Sequence, residues 1–126
     1  MKKLITLGLL AVTIVVTAFT SVPHVFTGRW EVTIKTENGP MHLLANFRAD
    51  KTYDAYINEK PFLTGKYQFQ NDTLVITDQR CDANASGIYK IDFVTPDSIL
   101  FSLIKDPCTE RVEGTNGAAL SRVKPK

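Results

Sequence analysis

Most of the chain after Phe26 alternates apolar and polar side chains with a period of two residues. In the first such segment Trp30, Val32 and Ile34 share one face, and the residues between them are polar or charged. This alternation is typical of a β-strand with one buried face and one face in water. The region shows no long helical period, so the pattern predicts an all-β domain.

Turn signals divide this region into eight short strands. Asn38-Gly39 is the strongest hairpin signal, and Asn71-Asp72 and Pro96-Asp97 mark further turns. Asp106-Pro107 predicts one short helical turn near residues 106–113, because proline is tolerated at the first helical position. The predicted strands cover residues 30–35, 41–48, 52–57, 63–70, 73–78, 87–94, 98–105 and 118–124.

Consecutive hairpins favour an eight-stranded antiparallel up-and-down barrel over a sandwich, because closure removes exposed strand edges. We assign this domain to residues 27–124. The connections at one end are tight, and those at the other end are longer. The tight turns are residues 49–51, 71–72 and 96–97, and the long loops are residues 58–62, 79–85 and 106–117. The pattern therefore predicts one closed end and one open end, which we call the mouth.

The first 20 residues have the layout of a secretory signal peptide. Lys2 and Lys3 precede an apolar run from Leu4 to Phe19, and no cysteine nearby offers a site for lipid attachment. An uncleaved membrane anchor is the alternative, because a span of about 20 residues would fit before Arg29. Both interpretations place the folded domain outside the cytoplasm, periplasmic or secreted in a bacterium, and only the anchor implies membrane contact.

Cys81 and Cys108 are the only two cysteines in the chain. In an oxidising compartment such a pair predicts a disulfide. Reduced thiols or a metal pair are the alternatives, although no CxxC spacing and no paired histidines support a metal. The cysteines follow the fifth and seventh strands, so the barrel topology brings both to the mouth, as a bond requires.

The charge balance excludes one class of function. Of the 15 basic residues, Lys2 and Lys3 belong to the signal segment, which leaves 13 basic residues against 13 acidic ones. Nucleic-acid binding needs a basic surface, and this near-neutral domain has no basic cluster. We therefore expect no nucleic-acid partner.

Several short motifs resemble those of short bacterial lipocalin-like proteins of the calycin group. Gly28-Arg29-Trp30 opens the first strand as a GxW motif does in that family. The other matching stretches are residues 47–53, 65–67, 73–76, 87–89 and 103–111. The resemblance spans nearly all of the predicted domain and implies a barrel that binds a small hydrophobic ligand.

The resemblance also implies structural roles. In lipocalins the GxW tryptophan closes the bottom of the barrel, and an arginine from the last strand lies over it. Trp30 and Arg122 match these residues by position, and Gly28 would let the backbone bend beneath the barrel. A guanidinium over an indole contributes about 0.5–2 kcal/mol. Together with Cys81 and Cys108, these residues are expected to be structural.

A ligand would lie near the mouth, among side chains that face inward. The predicted ligand-binding residues are Ile34, Met41, Leu43, Tyr53, Ile57, Phe62, Tyr67, Tyr89 and Leu103. An eight-stranded barrel is just wide enough to be filled by side chains or to hold one small ligand. A filled interior, with the tyrosine hydroxyls bonded inside the core, is therefore the alternative.

Two other functions remain to be weighed. The charged mouth loops could bind a protein, for example as an inhibitor of an extracytoplasmic enzyme, with Phe62 and Arg111 as candidate anchors; Arg111 could instead brace the cysteine loop. We expect no enzyme, metal or cofactor. His24 lies beside the cleavage region, His42 falls on an outward face, and no serine or cysteine sits in a nucleophile elbow.

Overall fold

The structure, a computed structural model, describes residues 24–82 and 84–124. The elements are β1 (Gly28–Thr36), β2 (Gly39–Phe47), β3 (Thr52–Ile57), β4 (Lys60–Gln70), β5 (Thr73–Asp78), β6 (Gly87–Thr95), β7 (Ser98–Lys105), α1 (Thr109–Thr115) and β8 (Ala119–Arg122). Within these residues the all-β fold with a single short helix is confirmed, although the helix begins later than predicted. The predicted signal peptide lies outside the described residues and stays a prediction.

The eight strands form one closed antiparallel barrel, in which each strand pairs with its neighbours in sequence. The last strand closes on the first, where Trp30 lies opposite Arg122 and Glu31 lies opposite Ser121. The predicted up-and-down topology is therefore confirmed. Each of the described strands has two partners, so the backbone groups of the sheet pair within the barrel.

Burial follows the two-residue period of the sequence. In β5, Leu74, Ile76 and Asp78 are buried, and the residues between them are partly exposed. β6 buries Tyr89 and Ile91 in the same way. The inward row of β5 thus includes a carboxylate, which places a charged side chain in the core.

The hairpin turn between β1 and β2 lies one residue earlier than predicted. Residues 37–38 form the two-residue loop, and Gly39 pairs with Thr36 at the start of β2. Gly39 has a φ of 102°, a conformation that glycine adopts without the steric cost of a side chain. The Asn-Gly pair therefore directs the chain reversal, but the glycine belongs to the strand.

The prediction of a long loop over residues 58–62 is wrong. The connection between β3 and β4 is a two-residue turn, in which Asn58 and Glu59 both have positive φ (50° and 70°). Pro61 does not end the pairing, because a register shift opposite Ala55 and Tyr56 accommodates it within β4. The long connections at the mouth are therefore only those between β5 and β6 and between β7 and β8.

Aromatic side chains fill the closed end, and we call them the aromatic plug. The plug consists of Phe26, Trp30, Phe47, Tyr67, Phe69 and Phe93. Phe26, which precedes β1, lies beneath the barrel with its ring centroid 4.5 Å from Phe47 and 4.7 Å from Phe69. These separations fall in the favourable range for aromatic pairs. The closed end therefore has a dense apolar core.

Trp30 and Arg122 fasten the start of the chain to its end. Trp30 is fully buried, and its indole Nε1 donates to the carbonyl of Phe26 at 2.8 Å. The Arg122 guanidinium lies 4.2 Å from the Trp30 ring centroid and donates to the carbonyls of Val25 and Thr27. A Cβ on Gly28, which has a φ of 130°, would lie 2.9 Å from Arg122 Nη1. Gly28 thus leaves the space that the guanidinium occupies.

The predicted disulfide between Cys81 and Cys108 is present at the mouth, where the two Cα atoms are 5.8 Å apart. It joins the loop after β5 to the start of α1. Such a bond is consistent with a location outside the cytoplasm, where disulfides form and persist.

Candidate functional site

A cavity of about 480 Å³ opens at the mouth of the barrel. Strands β1 to β5 form one wall, and β7, α1 and β8 form the other. Below the cavity, the aromatic plug closes the barrel. The interior is therefore filled by side chains at one end and open at the other.

Six of the nine predicted ligand-binding residues line this cavity: Ile34, Met41, Leu43, Tyr53, Ile57 and Phe62. Ile34 and Phe62 are 42% and 53% exposed, which places them at the rim. Leu63 and Ile76, also inward by their position in the alternation, lie on the wall. The alternation therefore located most of the wall on strands β1 to β5.

The structure places the other three predicted residues away from the cavity. Tyr67 belongs to the aromatic plug, and its hydroxyl donates to the carbonyl of Arg48 at 2.5 Å. Tyr89 is fully buried and donates to Asp106 at 2.7 Å. Leu103 is 39% exposed although it keeps its register with the buried Tyr89, and the register shift between β6 and β7 comes after it, at Ile104, which is 55% exposed.

Small side chains create the space. Ala45 on β2 lies directly opposite Ala55 on β3, and both are buried on the cavity wall. Gly114 and Ala118 line the facing wall. The nine predicted ligand-binding residues are all large and include none of these small ones. Two alanines at inward positions of adjacent strands were the signal that could have revealed the cavity.

Four charged side chains form a cluster beside the cavity, which we call the ionic cluster: Asp78, Arg80, Asp106 and Arg111. Arg80 donates to both carboxylate oxygens of Asp78, from Nη2 at 2.7 Å and from Nε at 3.0 Å. Arg111 binds both oxygens of Asp106 in the same way, at 2.7 and 2.8 Å. Arg111 Nη1 lies 3.8 Å from Asp78 Oδ1, so the two pairs adjoin.

Two tyrosines and one carbonyl complete this cluster. The Tyr53 hydroxyl donates to Asp78 at 2.5 Å, the Tyr89 hydroxyl donates to Asp106, and Arg111 Nη2 donates to the carbonyl of Ala85. Arg111 is fully buried, and its Nη1 has no hydrogen-bond partner among the residues that the structure describes. Tyr53 is therefore shared, because its ring lines the cavity and its hydroxyl belongs to the cluster.

The cluster keeps its charges in neutral solution. Burial would raise the pKa of Asp78, but hydrogen bonds from Arg80 and Tyr53 outweigh it and lower the pKa to about 2. Burial likewise opposes the hydrogen bonds from Arg111 and Tyr89, which lower the pKa of Asp106. Burial raises the pKa of the Tyr53 and Tyr89 hydroxyls, as do their carboxylate partners. Two carboxylates and two guanidiniums therefore balance each other.

Two glycines make room for this cluster. A Cβ on Gly87 would lie 2.3 Å from Asp106 Oδ2 and 2.9 Å from Arg111 Nε. A Cβ on Gly65 would lie 2.6 Å from the Tyr53 ring. The first position admits the ion pair and the second admits the tyrosine ring, so neither tolerates a larger side chain without movement of its neighbours.

The cluster and the disulfide together hold the mouth loops. Asp78 and Arg80 precede Cys81, whereas Asp106 and Arg111 flank Cys108. Arg111 therefore cannot anchor a protein partner at the surface, because it is buried; it braces the cysteine loop instead. The prediction from the sequence placed Arg111 on the charged mouth loops and did not anticipate its pairing with Asp106. The sequence contained two signals of this cluster. Asp78 occupies an inward position in β5, and an acid and an arginine lie within a few residues of each cysteine.

The two histidines lie in different parts of the barrel and do not form one site. His24 stacks on Phe93 at the closed end, with ring centroids 4.4 Å apart, and His42 faces Glu31 on the outside of the barrel at 3.2 Å. The described residues contain no group of three or more His, Cys, Asp or Glu side chains arranged to hold a metal ion. In the same part of the chain, no helix is long and apolar enough to cross a bilayer.

No protein-family model matches the chain, and neither a curated protein nor a solved structure matches it. The closed eight-stranded antiparallel barrel is compatible with a lipocalin-like fold.

Proposed function

We propose that the protein is an extracytoplasmic, lipocalin-like binding protein that holds one small, mainly apolar molecule in the mouth cavity. The observation that carries this proposal is the apolar space beside Ala45 and Ala55, about 480 Å³ in volume. Ligand pockets are typically about 300–1,000 Å³, with apolar walls and a few polar groups. The cavity fits that description, because Tyr53 and Arg80 supply polar atoms on an otherwise apolar wall.

The contacts that hold the cavity wall in place favour a site that is formed before the ligand binds. Tyr53 is held by Asp78, and α1 is held by the disulfide and by Arg111. A wall that is fixed before binding loses little conformational freedom when the ligand enters, which favours affinity. The mouth thus combines an open interior with a rigid frame.

Binding of a protein through the rim is the second candidate. Ile34 and Phe62 expose apolar surface beside the cavity, and an aromatic side chain at that position suits an interface anchor. A partner of this kind would cover the mouth, whereas a small ligand would fill it. One set of measurements separates the two functions.

The test uses a cavity-filling variant. Ala55→Phe places a ring in the apolar space, and the neutral fluorescent amine N-phenyl-1-naphthylamine serves as the probe. We expect the wild-type protein to bind the probe at one site and Ala55→Phe to bind it at least about tenfold more weakly, because the ring occupies the same volume. Native mass spectrometry of freshly purified protein should also show a co-purified small molecule that Ala55→Phe lacks.

A matched control carries the same ring on the outside of the barrel. Thr33→Phe substitutes an exposed position on β1 and should leave probe binding unchanged. Equal probe affinity in wild type and Ala55→Phe would contradict the ligand-binding proposal. If wild type fails to bind the probe and a rim variant such as Phe62→Ala loses a protein partner, the second function takes its place.

A further inference from the structure

Two carboxylates face the mouth cavity without a balancing charge. Glu110 and Glu113 stand one turn apart on α1, and both line the cavity while remaining exposed to solvent. Among the described residues, neither forms an ion pair within 4 Å. They are therefore free to meet a charged group on whatever enters the barrel.

The one basic side chain on the cavity wall does not offset them. Arg80 donates from Nε and Nη2 to Asp78, which remains ionised because its pKa is about 2. The second pair, Asp106 and Arg111, is also neutral as a unit. The ionic cluster thus contributes no net charge to the cavity, although it contributes dipoles.

The remaining charges around the mouth also cancel. The basic residues outside the cluster are Lys35, Lys60 and Lys105, and the acidic residues Glu37, Glu59 and Asp82 match them in number. Glu110 and Glu113 are left as an excess of negative charge in the part of the mouth that the structure describes. Charges of one sign that line a low-dielectric cleft raise the local concentration of ligands of the opposite sign.

From this arrangement we infer that the ligand of the mouth cavity is an amphiphilic cation, with an apolar body inside the barrel and an ammonium or similar group beside Glu110 and Glu113. This inference rests on the proposed function and narrows its ligand class. The apolar body contacts the wall around Ala45 and Ala55, and the cationic group remains at the rim, where it keeps part of its hydration. A carboxylate in the same position would meet two like charges.

The experiment compares three ligands that share one chain and differ in charge: decylamine, decanol and decanoate. Each displaces N-phenyl-1-naphthylamine from the full-length mature protein at pH 7 and low ionic strength. We expect decylamine to bind about three- to tenfold more tightly than decanol, and decanoate to bind more weakly than decanol, as suits two partly exposed carboxylates. Added salt should narrow these differences, because exposed charges are screened.

The variant Glu110→Gln/Glu113→Gln removes both charges from exposed positions, and it should abolish the preference, so that decylamine and decanol bind it with equal affinity. The control Glu37→Gln/Glu59→Gln removes two carboxylates from the same end of the barrel but not from the cavity, and it should retain the preference. Equal affinities for the three ligands, or tighter binding of decanoate, would overturn the inference and leave the proposed function intact. Absence of binding by all three and by the probe would overturn both.

Discussion

The two ends of the barrel share one backbone geometry but bury different side chains. At the closed end the inward positions carry rings, such as Trp30, Phe47 and Tyr67, and the Phe47 and Tyr67 ring centroids are 5.1 Å apart. Next to Phe47 and Tyr53, the same inward rows of β2 and β3 carry Ala45 and Ala55, which line the mouth cavity. Strand number alone does not set the free space in a small barrel. The size of the inward side chains decides which end holds a cavity.

The two ends are also stabilised by different forces. The closed end depends on buried apolar surface and on Arg122, which donates to the carbonyls of Val25 and Thr27. The mouth has less apolar contact, and it depends on the disulfide and on the ionic cluster. These connections hold the loops beside the cavity. They therefore stabilise an opening, which apolar packing would have filled.

Removal of the tryptophan ring should destabilise the closed end most. Trp30→Ala deletes a fully buried ring that contacts Arg122 and Phe93, so we expect the free energy of unfolding to fall by about 3–5 kcal/mol. Urea unfolding followed by circular dichroism measures the change. Probe affinity of the folded fraction should remain near wild type, because the ring lies below the cavity. A loss of probe binding without a loss of stability would contradict this division of roles.

The variant Arg122→Leu tests the contribution of the arginine separately from that of the Trp30 ring. It removes the cation–π contact and the hydrogen bonds to the carbonyls but leaves the aromatic plug in place, so its cost should be smaller than that of Trp30→Ala. An equal cost for the two variants would show that the guanidinium, and not the ring, holds the closed end together.

Removal of the disulfide should weaken the mouth by a slightly smaller amount. Cys81→Ala/Cys108→Ala opens a loop of 27 residues, for which chain entropy predicts a loss of about 3–4 kcal/mol in the free energy of unfolding. Unlike Trp30→Ala, this double variant should also weaken probe binding, because the disulfide holds α1 against the cavity. Wild-type protein treated with a thiol reductant provides the control, and it should reproduce the stability of the variant. If neither the double variant nor the reduced wild-type protein loses stability, the ionic cluster alone holds the mouth loops.

The sequence was sufficient for the barrel because its signals are local. Alternation over a few residues marks each strand, and turns between strands adjacent in sequence imply antiparallel neighbours. One error occurred where the pairing departs from a two-residue period, because the register shift that admits Pro61 shortened a predicted loop. The other concerns depth, because Leu103 is in register with inward-facing Tyr89 but lies near the end of β7, off the cavity wall.

The ionic cluster was less accessible to sequence analysis. It joins residues on two long connections, so no single stretch of sequence contains it, and charged residues near loops are usually in water. Only the fold shows that Arg111 reaches both Asp106 and the neighbourhood of Asp78. The position of Asp78 within the alternation of β5 was the one local indication of a buried charge.

Acid should lower the contribution of the mouth to the free energy of unfolding by about 2 kcal/mol and leave that of the closed end unchanged. The pKa of Asp78 falls from 3.8 to about 2 on folding, so this carboxylate stabilises the fold above about pH 4 and loses that contribution as the pH falls toward 2. The stability difference between wild type and Asp78→Asn, measured by urea unfolding, should therefore shrink over that interval. Asp97→Asn is the matched control, because Asp97 pairs with Arg122 at the closed end with its side chain 74% exposed. Exposed ion pairs contribute little to stability, so the difference in the free energy of unfolding between this control and wild type should stay constant over the same pH interval. A constant difference for Asp78→Asn would mean that its carboxylate does not stabilise the mouth through its charge, and the contrast between the two ends would then depend on packing and the disulfide alone.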